Sequence, residues 1–255
     1  MTTLAEHLRS EPFELILSSG FFGFFAHVGV VAALEEAGLS PSLAGGSSAG
    51  AMVAAMWGAG LSADDMRARL FALRREDFWD PDPTFGIFSR RGTGPGLLRG
   101  RLLERLLDDA LSSRGVRSFA DCRFPVRLVA WDVAHRRSVV LDGGDLMPAV
   151  RASCAVPGLF QPVAIGGRRY LDGGIADRPG ILAASADARV LFHHLPVRPP
   201  WTVIDGAQSK PPSRAGLHVL TEPALPPVSP FRLEQGPRAY ELARAMARRA
   251  LESPV

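Results

Sequence analysis

Residues 43–52 read LAGGSSAGAM and decide the fold. Leu43 and Ala44 are expected to lie in a short buried strand, and a helix of small residues is expected to begin at Ala49. The residues at 46, 48 and 50 match the pattern G-x-S-x-G, in which a serine hydroxyl is exposed on a sharp strand-to-helix turn. The first N–H groups of the helix point back at this turn and can stabilise negative charge. Ser48 is therefore a candidate nucleophile, although a capping serine in a tight turn would give the same pattern.

A strand, a glycine-containing loop and a helix are predicted upstream of this turn. The apolar run Phe13–Leu17 predicts a buried strand, and residues 26–37 have helical spacing up to Gly38. The resulting strand–helix–strand–helix order predicts a parallel sheet. Because ligands bind at the carboxyl ends of such strands, a backbone N–H of the loop at Gly20 is expected to approach a group bound at Ser48.

The bulk composition indicates a globular chain and argues against nucleic-acid binding. The chain has 255 residues, is 47% hydrophobic and carries a net charge of +3, with Lys210 as its single lysine. No dense basic run with interleaved aromatic residues occurs, so nucleic-acid binding is not expected. Cys122 and Cys154 lack metal-ligand spacing and form no disulfide framework, which favours a reducing compartment.

Targeting and membrane segments are not expected. Residues 1–12 contain no apolar signal core, and no run of about eighteen apolar residues occurs. The sequence therefore predicts a cytoplasmic protein whose membrane contact, if any, is peripheral. Residues 77–96, which include Trp79, are expected to form an exposed or lid-like loop, whose apolar residues can touch lipid or serve ordinary loop packing.

The downstream half is expected to complete one domain over residues 1–255. The core spans about 13–195, an irregular proline-rich segment covers 196–230, and an amphipathic helix covers 237–252. Strands at 125–132 and 137–141 and a helix at 146–154 are followed by a hairpin turning at Gly166 and Gly167. The hairpin delivers the sequence DGG, residues 172–174.

A serine nucleophile needs a base, and two readings are open. Asp172 lies between an apolar strand end and two glycines, where a carboxylate can be close to a hydroxyl and partly shielded, although it can also be a turn aspartate. His193, His194 and His218 lie downstream and would permit a Ser-His-Asp triad. Only 47 residues precede Ser48, which disfavours the usual α/β-hydrolase order.

These motifs together resemble those of the patatin-like phospholipases, particularly the short bacterial ones, over most of the chain. Residues 15–20 (LILSSG) are similar to the strand entering the family's glycine-rich loop, and residues 27–38 to the helix after it. Residues 46–51 (GSSAGA) resemble its nucleophile elbow. Residues 151–160 and 170–174 (YLDGG) resemble the segment that carries the catalytic aspartate.

The resemblance implies a three-layer α/β fold with a mainly parallel central sheet and helices on both faces. It implies a lipid acyl hydrolase in which Ser48 attacks a phospholipid or lysophospholipid ester, Asp172 acts as general base and an acyl-enzyme forms. Backbone N–H groups of Gly20, Phe21 and Ala49 would hold the oxyanion. No metal or organic cofactor is implied, and the oligomeric state is left open.

The glycine-rich loop departs from the family pattern. The family reads Gly-Gly-Gly-x-Arg-Gly, whereas residues 19–24 read SGFFGF, with Gly23 in the arginine's place when no gap is allowed. A one-residue shift aligns Gly20 and Gly23 with glycines and still leaves no arginine. Phenylalanine does not readily take positive φ values, so an altered loop geometry is expected. The alternative function is a catalytically weak or inactive lipid-binding or regulatory protein. The phenylalanines can enlarge an apolar acyl pocket or serve ordinary core packing.

Overall fold

The computed structural model describes residues 2–82, 96–196 and 211–255, which contain an eight-stranded sheet. The neighbouring strands along the sheet are β5-β6-β3-β2-β1-β7-β8, and β4 pairs with β3. In chain order the strands are β1 Phe13–Leu17, β2 Leu43–Ser47, β3 Val126–Asp132, β4 Arg137–Leu141, β5 Val163–Ile165, β6 Arg168–Asp172, β7 Arg189–His194 and β8 Leu217–Thr221.

The centre of the sheet is parallel and fully buried. Strand β1 lies between β2 and β7, parallel to both, and β3 and β8 extend the parallel order on either side. All five residues of β1 and of β2 are buried. Such strands read as apolar runs because helices and turns cover both of their faces. The predicted α/β fold with a mainly parallel central sheet is confirmed.

Helices surround this sheet. They are α1 Leu4–Ser10, α2 Phe24–Glu36, α3 Ala49–Gly58, α4 Ala63–Phe71, α5 Arg101–Ser112, α6 Leu146–Ser153 and α7 Gly236–Glu252. In the described part of the chain, none of them is long and apolar enough to cross a membrane. Helix α2 is buried along most of its length because α7 packs against it. A β-carbon on Gly29 would overlap the Tyr240 carbonyl, so glycine is what allows this close helix crossing.

The two faces of the sheet are covered differently. Leu15 and Leu17 of β1 belong to the large core shared with α2, α3 and α7. Ile16 points to the opposite face, where it clusters with Phe192 of β7 and with Ala183. Ala183 ends a 3-10 turn at Ile181–Ala183, so the helical cover on this second face is short. The alternation follows from the period-2 geometry of a strand.

The proline-rich segment differs from its expectation. Strand β8, Leu217–Thr221, pairs with β7 inside the segment 196–230 that was predicted to be irregular. Five residues flanked by prolines carry little periodic signal. The formation of this edge strand therefore depends on its pairing with β7. Residues 197–210 of the segment, and residues 83–95 of the predicted lid-like loop, lie outside the described residues. The division into one domain stays a prediction.

Strand β6 lies end to end with β2 on the same edge of β3. Leu128 of β3 pairs with β2 on one side and with β4 on the other, whereas Ala130 pairs with β6 and with β4. Because β4 occupies one edge throughout, β2 and β6 share the opposite edge. This register places Ser47 beside Val129 and Asp172 beside Ala130, one step further along.

Candidate active site

Ser48 lies at a sharp bend between β2 and α3. Its backbone has φ 54° and ψ −118°, a region that residues with a β-carbon rarely adopt. The bend is possible because its neighbours are small: a β-carbon on either Gly46 or Gly50 would overlap the Leu17 carbonyl of β1. The strained turn predicted from G-x-S-x-G is therefore present, with its serine at the first turn of a helix.

Two neighbours hold the backbone of Ser48. Its N–H donates to Oγ of Ser153 at 3.0 Å, and that hydroxyl donates to the Val129 carbonyl at 2.6 Å. The thiol of Cys154 lies 3.3 Å from the Ser48 carbonyl. Ser153 and Cys154 were not singled out by sequence reasoning. The one signal for them was that they fall inside residues 151–160, which resemble a family segment.

Asp172 is brought to this bend by the end-to-end placement of β6 and β2. Its backbone N–H donates to the Ala155 carbonyl at 2.9 Å, just after α6. The two following glycines permit close approach, because a β-carbon on Gly173 would lie 2.6 Å from Oγ of Ser47 and one on Gly174 would lie 2.5 Å from Oγ of Ser19. Close packing therefore accounts for the two glycines of the DGG sequence, and the candidate chemistry accounts for its aspartate.

The Asp172 carboxyl group is buried next to Ser48. Burial raises its pKa to about 6, while the Ser48 hydroxyl and the Gly174 N–H lower that pKa in part. Oδ1 accepts the Gly174 N–H at 2.7 Å, and Oδ2 has no hydrogen-bond partner. The hydroxyl is thus close enough to affect the carboxyl group without a well-aligned hydrogen bond.

The loop before α2 forms a tight turn in which the Gly23 N–H donates to the Gly20 carbonyl at 3.0 Å. Phe22 has φ 55°, so a phenylalanine does adopt the left-handed region here. Its ring packs within 5.4 Å, centroid to centroid, of three other phenylalanine rings, those of Phe21, Phe24 and Phe78. This aromatic packing offsets the backbone strain, which is typically of order 1–3 kcal/mol.

Leu195 explains why residue 23 is glycine. A β-carbon on Gly20 or on Gly23 would overlap Cδ1 of Leu195, which follows β7. The Leu195 backbone is fixed in turn, because its N–H donates to Oγ of Ser18 at 2.9 Å. Any residue with a β-carbon at position 23 would require the Leu195 side chain to move. Nothing in the local sequence of the loop signals that contact.

A partly open pocket joins the predicted oxyanion residues to the serine. Gly20, Phe21, Ser48 and Ala49 all line it. The rest of its wall is almost wholly apolar and comes from several elements; it comprises Phe22, Phe24, Met52, Leu70, Leu73, Phe78, Leu103, Leu106, Cys154, Val156 and Phe160. Ala49 is the first residue of α3, so its N–H has no partner within the helix.

The histidines of the alternative triad have other partners. His193 and His27 lie with their Nδ1 atoms 2.8 Å apart, and Nε2 of His27 lies 2.8 Å from the Ser18 carbonyl. Since a carbonyl only accepts, Nε2 of His27 carries the proton and its Nδ1 accepts from His193. Burial lowers the pKa of His27 to about 4 and that of His193 well below its usual value, so the pair is neutral. His218 stacks edge-on against His7.

Metal ligands do not converge in the described part of the chain, where no group of three His, Cys, Asp or Glu side chains is arranged to hold an ion.

The structure brings together Ser48, Asp172, Gly20, Phe21 and Ala49 and leaves His193 and His218 in separate contacts. A hydroxyl, a buried carboxyl group and the N–H groups at the start of a helix, beside an apolar pocket, can perform acyl transfer.

Comparison with known sequences places this site in context. A family model described as patatin-like phospholipase matches residues 15–185. An NTE family protein of Mycobacterium tuberculosis is 32% identical over 163 residues, covering 64% of this chain and 42% of that protein. The lysophospholipase nte1 of Emericella nidulans is 29% identical over 178 residues, covering 68% of this chain and 11% of the relative. The chain spans about two fifths of the length of the mycobacterial relative.

Among solved structures, VipD from Legionella pneumophila has a similar fold. The superposition has a TM-score of 0.55 at 16% sequence identity and covers 94% of this chain and 67% of that one. At this identity the likeness concerns the path of the backbone, and the site chemistry rests on the residues themselves.

Proposed function

The chain belongs to the patatin-like phospholipase family, and from this we propose that it is a serine acyl hydrolase that cleaves carboxylic esters of lipids through a Ser48–Asp172 dyad. The substrates are phospholipids or lysophospholipids, and the products are a fatty acid and a lysolipid or alcohol. The name of the Emericella lysophospholipase and the apolar pocket beside Ser48 support a lipid ester over a small polar one.

The first step is attack by the serine. Oγ of Ser48 forms a bond to the ester carbonyl carbon while Oδ2 of Asp172, which has no other partner, takes the hydroxyl proton. The tetrahedral intermediate collapses, the carbonyl re-forms and the C–O bond to the leaving alcohol breaks. Protonated Asp172 returns its proton to that alkoxide, which leaves an acyl-enzyme on Ser48.

The second step is the reverse chemistry with water. Asp172 takes a proton from water, the hydroxide oxygen attacks the acyl carbon, and the Ser48 oxygen leaves with the proton held by Asp172. In both steps negative charge develops on the former carbonyl oxygen. Backbone N–H groups of Gly20 and Phe21, together with that of Ala49, lie around the same pocket and are proposed to bind it.

The observation that carries the proposal is the environment of the Asp172 carboxyl group. A buried carboxylate with a pKa of about 6 and one oxygen without a partner is poised to accept a proton near neutral pH. Its neighbour is a serine held in a strained conformation at a helix N-terminus. Of the histidines considered above, His193 bonds to His27 through its Nδ1 atom and His218 stacks edge-on against His7, and neither is hydrogen-bonded to Ser48.

The test is labelling by a fluorophosphonate, which forms a covalent bond with an activated serine. We expect the wild-type protein to be labelled at Ser48 and to release p-nitrophenol from short-chain esters, and the Ser48→Ala variant to do neither. Ser47→Ala is a matched control, because the neighbouring Oγ is buried without a partner and its loss should leave both signals. Equal product release by wild type and Ser48→Ala would rule out the proposal.

A second candidate function is suggested by the loop sequence itself, in which Gly23 stands where the family pattern has an arginine. If this altered loop cannot bind an oxyanion, the protein is a lipid-binding or regulatory member of the family. It would then bind a fluorescent fatty acid or lysolipid in the pocket beside Ser48, without fluorophosphonate labelling and without turnover.

A further inference from the structure

Two hairpin turns project side by side beyond the end of the sheet. Asp132, at the end of β3, pairs with Arg137 of β4 on one edge and with Tyr170 of β6 on the other. The next residue, Val133, donates its N–H to the Arg169 carbonyl at 3.0 Å. The start of the β3–β4 turn is therefore in direct contact with β6, and the two hairpins lie side by side.

These turns bring together four arginines that are exposed and that come from separate parts of the sequence, namely Arg136, Arg137, Arg168 and Arg169; they are called the basic tip below. In the described part of the chain, their one ion pair joins Arg168 to Asp132 at 3.8 Å. The Asp132 carboxylate is fully buried and also accepts from His135. The basic tip therefore carries a clear excess of positive charge.

The acidic residues that follow β4 do not offset this charge. Asp142 and Asp145 follow β4, which runs antiparallel to β3, so they lie towards the opposite end of these strands. The tip is thus a concentrated cationic surface on a chain whose net charge is only +3.

The basic tip lies on the same side of the sheet as the candidate active site. Ser47 pairs with Val129, and β3 continues for three more residues to Asp132 in the direction of its carboxyl end. At about 3.3 Å per residue, the turn begins roughly 10 Å beyond Ser47. The tip therefore projects beyond the carboxyl ends of β2 and β3, the same end of the sheet at which Ser48 lies.

We propose that the basic tip docks the protein on an anionic lipid surface. Arginine binds phosphate groups through a planar fork, and a negatively charged bilayer attracts clustered cations held close to it. A nucleic acid would satisfy the same charge; the choice of a lipid surface rests on the proposed function, because docking at this edge presents lipid esters to Ser48. The docking itself depends on charge and position and not on turnover.

The experiment measures co-sedimentation with vesicles in a Ser48→Ala background, so that the lipids stay intact. We expect binding to vesicles of phosphatidylcholine with phosphatidylserine and little binding to phosphatidylcholine alone. Replacing either arginine pair by glutamine, Arg136 with Arg137 or Arg168 with Arg169, should weaken binding by about twentyfold, since each cation near such a surface contributes about a factor of five. Replacement of the same pairs by lysine should retain most of the binding.

The matched control is the pair Arg248→Gln with Arg249→Gln, which removes the same charge. These exposed residues lie near the end of α7, which packs against β8, and β8 is at the far end of the strand order from β5 and β6. The protein that carries this control pair should bind vesicles as tightly as the Ser48→Ala background does. Raising the salt concentration should weaken binding of the background protein.

Four results would overturn the proposal. They are equal binding to both vesicle types, equal losses in the control and tip pairs, a loss with lysine as large as with glutamine, and tighter binding of duplex DNA than of vesicles with the same tip dependence. Failure of fluorophosphonate labelling at Ser48 would count against the proposed function alone, because the vesicle measurement needs no catalysis.

Discussion

The backbone N–H of Ser48 donates to the side-chain oxygen of Ser153, 3.0 Å away, and the same hydroxyl donates to the Val129 carbonyl. One side chain at the end of α6 therefore joins the strained serine turn to the neighbouring strand β3. The bond fixes the Ser48 backbone without using its hydroxyl, which stays available to Asp172. Ser153 is in this sense a positioning residue.

Replacing Ser153 by alanine should slow turnover and destabilise the protein. The change leaves a buried N–H and a buried carbonyl without partners, which typically costs about 1–3 kcal/mol. We expect kcat for a p-nitrophenyl ester to fall more than KM rises, because the serine is misplaced while the acyl pocket is intact. The control is Ser112→Ala on the exposed face of α5. A variant with normal kcat and normal urea stability would contradict this role.

The pH dependence of kcat/KM should follow the Asp172 carboxyl group. Its pKa is raised to about 6 by burial, so the base is protonated below that pH and kcat/KM should fall about tenfold per pH unit. The measurement uses a soluble short-chain ester from pH 4.5 to 8.5. A profile that is flat through pH 6 would instead favour a different base. So would a loss of turnover when His218 is replaced.

Stability should respond to the same carboxyl group with a defined sign. The folded pKa lies above the ordinary value of 3.8, so the unfolded chain ionises first and stability falls as pH rises from about 4 to 6, then stays level. Asp172→Asn removes this loss and should be more stable than wild type by on the order of 3 kcal/mol at pH 7. At pH 3.5 the two proteins should unfold at similar urea concentrations. A variant that is less stable at pH 7 would contradict the burial argument.

The pocket wall should set the preferred acyl chain. Leu106 of α5 lines the pocket and is only half-buried, so a tryptophan there can fill space without overpacking the core. Leu106→Trp should lower kcat/KM for p-nitrophenyl laurate by about 10- to 100-fold relative to the acetate. Leu102→Trp, one turn away and outside the pocket wall, is the control. Equal effects on both esters would show that the acyl chain binds elsewhere.

Gly23 and Leu195 should be energetically coupled. Gly23→Ala alone places a β-carbon against Cδ1 of Leu195 and should destabilise by at least about 1 kcal/mol, as overpacked sites do. Leu195→Ala alone should cost about 2–5 kcal/mol through the cavity that it leaves. In the double variant the clash is absent. The loss in its free energy of unfolding, measured in urea, should therefore be about 1 kcal/mol smaller than the sum of the losses in the two single variants. Strict additivity would show that the loop adjusts freely.

The elements of the fold were largely predictable because their signals are local. Predicted strand Phe13–Leu17 matches the structure, and the helix expected from Ala49 begins there. The hairpin was predicted at Gly166 and Gly167, and both have positive φ. The main miss was β8, whose five residues gain their order from pairing with β7 and carry little pattern of their own.

The sequence by itself determined the serine turn, since only small residues at 46 and 50 let the chain bend against the Leu17 carbonyl, and that requirement is visible within ten residues. Tertiary structure alone decided what meets that turn. The register of β2 and β6 on one edge of β3 places Asp172 beside Ser48, and the contact of two hairpins gathers Arg136 and Arg169 on one surface. Strand register depends on packing between distant segments, and local periodicity contains no information about which segments will pair.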